Sequence, residues 1–104
     1  MHKAILHVDS VYHIPNITIT GSACKTHLAP NTAFRGFGGP QAMMVMEAIM
    51  TGVAARMPSI KPYDLRRANM YHDGDVTYYG QTMEDCLVCL HADRVLTRLD
   101  SNAG

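Results

Sequence analysis

Residues 31–43, NTAFRGFGGPQAM, gather two phenylalanines, an arginine and three glycines ahead of a proline. Arg35 offers a planar, permanently charged fork for oxo or phosphate groups, and Phe37 a flat apolar face. The glycines flanking Phe37 would let a ligand approach the backbone closely. Pro40 suits the first position of a helix, whose unpaired N–H groups and dipole would point back at the loop. The run is neither G-x-G-x-x-G nor G-x-x-x-x-G-K-[ST], and it carries no Lys-Ser/Thr pair for a triphosphate. On residue types alone it reads as a loop shaped around an anionic ligand or as a plain connection.

A second group is Cys86-Leu-Val-Cys89 with His91 close behind. A C-x-x-C pair can act as a redox dithiol or form half of a zinc site. Cys24, the remaining thiol, lies far away in sequence, and the segment is leucine-rich, so a pair of buried thiols is the simpler reading. The six histidines show no H-E-x-x-H spacing. Asp73 and Asp75 bracket Gly74 as in a turn, with too few oxygens for a calcium loop. The two glutamates, Glu47 and Glu84, are remote from the glycine run, so no general base stands beside it in sequence.

The elements that would position these residues form an α+β pattern. Residues 2–9 predict a short helix with no cap, as though entered partway. Ile17 to Thr20 alternates apolar and polar β-branched residues and predicts a half-buried strand, continuing through Ala23–His27 after a bulge or turn at Gly21. A loop over 28–39 follows. A helix from Pro40 carries Met43, Met46, Met50, Val53, Ala54 and Met57 at helical spacing. Met44, Val45 and Ile49 lie off that stripe, so this helix needs cover on more than one side. Ser59 is placed to cap a second helix, with Pro62 near its start and Tyr63–Tyr71 inside it. A turn at 72–75, an extended piece at Val76–Tyr79, a last helix over Glu84–Leu99 and a loose tail over 101–104 complete the reading.

At 104 residues the chain is one small domain at most, able to bury little more than about 60–65% of its unfolded surface. Nine basic residues balance nine acidic ones, which gives no pull toward nucleic acid or an anionic membrane. The longest apolar run, Pro40–Met57, holds Gln41, Glu47 and Arg56 and is too short and polar to span a bilayer. Three cysteines outside any secreted disulfide spacing, and an N-terminus unlike a signal peptide, predict a cytoplasmic protein with reduced thiols.

Three stretches, HVDSVYHIPNI, CKTHLAPNTAFRGFGGPQAM and DLRRANMYHDGDVTYYGQ, closely resemble the molybdenum-binding domain of xanthine dehydrogenases and other molybdenum hydroxylases. The likeness runs from about Ala4 to Asp85 and thins beyond it, where the family's proline-containing connection is missing. The resemblance implies one partial molybdopterin-binding domain over 1–104: helix end and strand (1–27), cofactor loop (28–39), helices (40–71), then turn, extended piece and C-terminal helix or tail (72–104). It implies that Arg35 and Phe34 lie against the molybdenum cofactor and that Phe37 stacks on the substrate ring. Lys3 falls where xanthine-specific members carry an arginine that orients a purine oxygen; lysine keeps the charge without the planar fork.

The implied chemistry is hydroxylation of purines, hypoxanthine or xanthine to urate, by attack of a Mo–OH oxygen with hydride transfer. A pterin dithiolene holds the metal, so no metal ligand is expected from this chain. The glutamate that serves as base is expected outside it, and the chain alone is expected to be inactive. Iron–sulfur clusters take thiolates in fours, so [2Fe–2S] centres and FAD belong to other segments or subunits of an enzyme expected to be a homo-oligomer. A non-catalytic remnant, or a small thiol or metal module built on Cys86, Cys89 and His91, is the competing reading.

Overall fold

The computed structural model describes residues 1–103 and contains four helices: α1 (His2–His7), α2 (Gly39–Arg56), α3 (Pro62–Asn69) and α4 (Val88–Ala103). Sequence dictates most of their ends. The long helix α2 starts after Gly38, which is left-handed at φ 93°, and Pro40 lies in its first turn. It stops at Met57, because Pro58 disfavours helical geometry in the residue before it. Lys61 is likewise pushed to extended geometry (φ −67°, ψ 141°) by Pro62 and becomes the N-cap of α3. Ser59, the expected cap, therefore stands two residues too early. α3 also ends sooner than expected, since Met70 turns extended and forms an antiparallel bridge with Tyr12.

The expected strand is the main correction. Among the described residues no strand forms, and 17–34 runs without helix or ladder. Ile17 and Ile19 are still half-buried while Thr18 and Thr20 are exposed, so the alternation reports a real apolar edge. Ile19 and Gly21 line a shallow groove together with Ile5 of α1, Val8 just after it, and Ala42 and Val45 of α2. A strand, however, needs a neighbour to take up its N–H and C=O groups, and among the described residues none is bridged to it. The α+β expectation thus becomes a mostly helical chain with two isolated bridges, Tyr12–Met70 and Val76–Thr82. The second closes a small hairpin: Gly74 N–H donates to Met83 O at 2.9 Å, and Thr77 N–H to Gln81 O at 2.8 Å. Residues 101–103, expected as tail, continue α4, which begins at Val88, later than the expected Glu84, where the chain still turns through a left-handed Asp85 at φ 52°.

The core is small and built largely from methionine. Tyr12, Met46, Met50 and Met70 form it, with Val11, Ile14, Val88, Cys89 and Ala92 packed around them. Along α2 the buried positions are Gly39, Ala42, Met46, Met50 and Ala54, one stripe at helical spacing. Of the expected stripe Met43, Val53 and Met57 are exposed instead, as are Met44, Val45 and Ile49 on the other sides of that helix. A tyrosine and an arginine clamp the core through one carboxylate. Tyr12 O–H donates to Glu47 Oε1 at 2.5 Å, and Arg66 Nε donates to Glu47 Oε2 at 3.0 Å. The Tyr12 hydroxyl is pushed up to about 12, first by burial and then by Glu47. Glu47 is held below the usual carboxylate range, first by the Tyr12 hydrogen bond. On the other side Arg67 makes a two-pronged pair with Asp93 of α4 at 2.9 and 3.0 Å.

These contacts leave much of the chain open. Its radius of gyration is 16.6 Å, against about 13 Å for a compact domain of this length. Its accessible surface is 8300 Å², against roughly 5,800 Å² for a compact monomer of its mass. No helix among the described residues is long and apolar enough to cross a membrane.

Candidate functional site

The glycine run folds into a tight turn at the start of α2. Gly36 (φ 94°), Phe37 (φ 50°) and Gly38 (φ 93°) are all left-handed, with Phe37 N–H donating to Phe34 O at 3.0 Å and Gly39 N–H to Gly36 O at 2.9 Å. A Cβ at Gly36 would lie 2.8 Å from Pro40 Cδ, so only glycine fits there. Phe37 takes a hand that aromatic residues rarely adopt, and it presents its ring outward, 60% exposed.

Small residues then bring α1 over this turn. A Cβ at Gly38 would meet Ala4 Cβ at 3.4 Å, and one at Gly39 would meet His7 at 3.6 Å. The N-terminal end of α1 and residues 31–38 consequently enclose an open cleft of about 720 Å³, within the usual size range of small-molecule sites. Lys3, Phe34, Arg35 and Phe37 all line it, together with His2, Asn31, Thr32 and Gln41. No carboxylate lines it among the described residues, while Lys3 and Arg35 bring two positive charges. The helix dipole of α2 adds to the same sign. The cleft is therefore chemically suited to an anionic, partly aromatic ligand.

Sequence reasoning gave no role to His2, Asn31, Thr32 or Gln41. Three of these belong to the same run as Arg35, but uncharged amide and hydroxyl groups carry no signal strong enough to single out. His2 joins the cleft only because α1 crosses Gly38, which no local pattern announces.

Cys86 and Cys89 lie apart, beside the core. Both thiols donate to the carbonyl oxygen of Tyr71, at 3.4 and 3.6 Å. The imidazole set against them is that of His72, with Nε2 at 3.6 Å from Cys89 Sγ; His91 faces a different surface, beside Arg94 and Arg98. Among the described residues no three His, Cys, Asp or Glu side chains are grouped to hold a metal ion.

Residues 1–70 match the molybdopterin cofactor-binding domain family. The chain belongs to this family. It is 50% identical over 84 residues to the xanthine dehydrogenase/oxidase of Gallus gallus, covering 81% of this chain and 6% of that protein. Against the xanthine dehydrogenase/oxidase of Mus musculus the figure is 49% over 84 residues, with the same coverage. Against the xanthine dehydrogenase of Emericella nidulans it is 43% over 96 residues, 92% of this chain and 7% of that protein. The chain is thus a segment of a molybdopterin cofactor-binding domain from an oxidoreductase family, spanning 6–7% of the length of these relatives. Both the turn at 34–38 and the helix that follows lie within the matched region.

Proposed function

We propose that this segment forms one wall of the molybdenum site in a xanthine dehydrogenase-like enzyme that hydroxylates purines or a related electron-poor heterocycle. The observation that carries this reading is the convergence of Lys3, Phe34, Arg35 and Phe37 on one cleft at the start of α2.

The residues present fit a molybdopterin. Such a cofactor is anionic at its phosphate and oxo groups, and the cleft supplies two cations, the positive end of a helix and no opposing carboxylate. Its pterin brings its own sulfur ligands, so the protein's task here is contact and charge rather than coordination. When bound, the cofactor supplies the oxygen transfer and the two-electron redox step. Arg35 would hold its oxo or phosphate oxygens with a two-pronged donor, while Phe34 covers the adjoining face.

Phe37 would stack on the substrate ring, and its left-handed backbone keeps the ring at the cleft wall. Lys3 would donate to a substrate oxygen through a single flexible ammonium, a less directional contact than a guanidinium makes. The general base, a glutamate, would come from another segment. Iron–sulfur and flavin groups would likewise lie on other segments or subunits of a cytoplasmic homo-oligomer. The excess open surface of α1 and α2 supports such neighbours.

The test is substitution in the full-length enzyme that carries this segment. Arg35→Ala should lower molybdenum content or turnover by at least about tenfold, with partial recovery in Arg35→Lys, and Phe37→Ala should raise KM for xanthine. Wild-type metal content and kinetics in all three would sink the reading. The 104-residue chain alone should show no xanthine-dependent dye reduction.

A further inference from the structure

The pair Cys86 and Cys89 stands outside the cleft, and nothing in the proposed chemistry uses it. Their surroundings are organised. The turn after Tyr71 holds both thiols: the Tyr71 carbonyl accepts from each sulfur, and Asp73 accepts the backbone N–H of Cys86. The same turn carries His72, whose Nε2 lies 3.6 Å from Cys89 Sγ. Behind that imidazole stands Asp75. Its Oδ2 accepts the His72 backbone N–H at 2.8 Å and lies 3.9 Å from the ring Nδ1. Thiol, imidazole and carboxylate therefore follow one another in the order of a nucleophile, its base and a nearby negative charge. The carboxylate holds the backbone of His72 and faces its ring, and that of His13, at 3.9 Å. A second thiol shares the same carbonyl.

We propose that Cys86 and Cys89 form a two-electron redox site that reacts with a hydroperoxide, with Cys89 as the attacking thiol and Cys86 as the resolving one. The Cys89 S–H turns from the Tyr71 carbonyl to Nε2 of His72, which takes the proton, and the sulfur attacks the terminal oxygen of the peroxide. The O–O bond breaks and an S–O bond forms; the proton returns to the departing oxygen, which leaves as water or alcohol. Cys89 is then a sulfenic acid. The Cys86 sulfur attacks it, an S–S bond forms, the S–O bond breaks, and water leaves with the remaining proton. Two thiols are oxidised and one peroxide is reduced, with no other reagent needed.

Cys24 supplies the control within the same chain. It is the most open of the three thiols, in the irregular 17–34 segment, so exposure alone would make it react first. The reduced full chain is treated with hydrogen peroxide below one equivalent, and free thiols are alkylated and mapped. The expected first product has lost about 2 Da, links Cys86 to Cys89 and leaves Cys24 alkylated. Cys86→Ser should leave a sulfenic acid on Cys89 that dimedone traps, and His72→Gln should slow oxidation of Cys89 by at least about tenfold. Oxidation of Cys24 first or at an equal rate would overturn the proposal without any substitution. So would a dimedone label on Cys86 in the wild-type chain, or an unchanged rate in His72→Gln.

Discussion

The turn at 34–38 precedes the first residue of α2's buried stripe, the Tyr12–Glu47–Arg66 clamp grips the helix near the middle of that stripe, and the two are built in opposite ways. Around Tyr12, 1% exposed, every strong polar group meets a partner from a distant part of the chain. At the turn Phe34 is 83% exposed, and the shape is fixed by short-range backbone bonds and handedness alone. The clamp stabilises; the turn presents. The difference is that the clamp ties one face of α2 into this segment's own core, whereas the turn leaves its two rings uncovered.

Removing packing from the core that the clamp closes should have the largest effect. Met46 is 3% exposed, so Met46→Ala should cost about 2–5 kcal/mol in a denaturant titration, whereas Phe34→Ala should stay within about 0.5 kcal/mol. Equal losses would mean that the turn is packed as tightly as the core. An intermediate effect is expected at Gly36. Alanine there meets both the positive φ and the rigid Pro40 ring at 2.8 Å, and should cost about 1–3 kcal/mol. Its mark should be faster amide exchange over 39–42 with the Tyr12 region unchanged.

The smallest effect is on pH dependence and belongs to the clamp. The Tyr12 proton is held up to about 12 against the ordinary 10.0. The folded state thus keeps a proton that the unfolded chain loses. Stability from this group is complete below pH 10 and drains away as pH rises toward 12. Glu47 acts in the opposite direction: held below 4.5, its contribution is complete above that value and lost as pH falls through its lowered folded value. Tyr12→Phe should flatten the alkaline limb of a urea-midpoint profile and cost about 1 kcal/mol at neutral pH.

The clamp and the turn were also unequally legible in the sequence. Helix α2 was readable because its signals are local: glycine then proline at the start, a stripe of methionines, proline after the end. Of the residues lining the cleft, Arg35 and Phe37 stood out by residue type beside the glycines, whereas Phe34 and Lys3 entered only through the family resemblance. In space Lys3 reaches the cleft through the packing of Ala4 on Gly38, which no local pattern announces. The clamp was hidden, because Glu47 stands 35 residues from Tyr12 and 19 from Arg66 and each looks like an ordinary surface residue. The strand failed for a related reason. Alternation reports which side of a segment is covered, while a ladder depends on a second segment that the pattern cannot see. His72 was passed over in favour of His91 because nearness in sequence to Cys89 stood in for nearness in space.

The run of left-handed residues at Gly36, Phe37 and Gly38 has one more effect. They wind as a short left-handed thread directly onto the right-handed screw of α2. A reversal of thread cannot slide along a chain of L residues, since each step would force another side chain into the wrong hand. The glycines nail it in place. Adding or removing one residue between Phe34 and Pro40 would therefore not lengthen or shorten the loop smoothly; it would swing Arg35 and Phe37 around the axis of the helix that follows. The spacing in RGFGGP thus behaves as a setting angle, which the rest of the site must match.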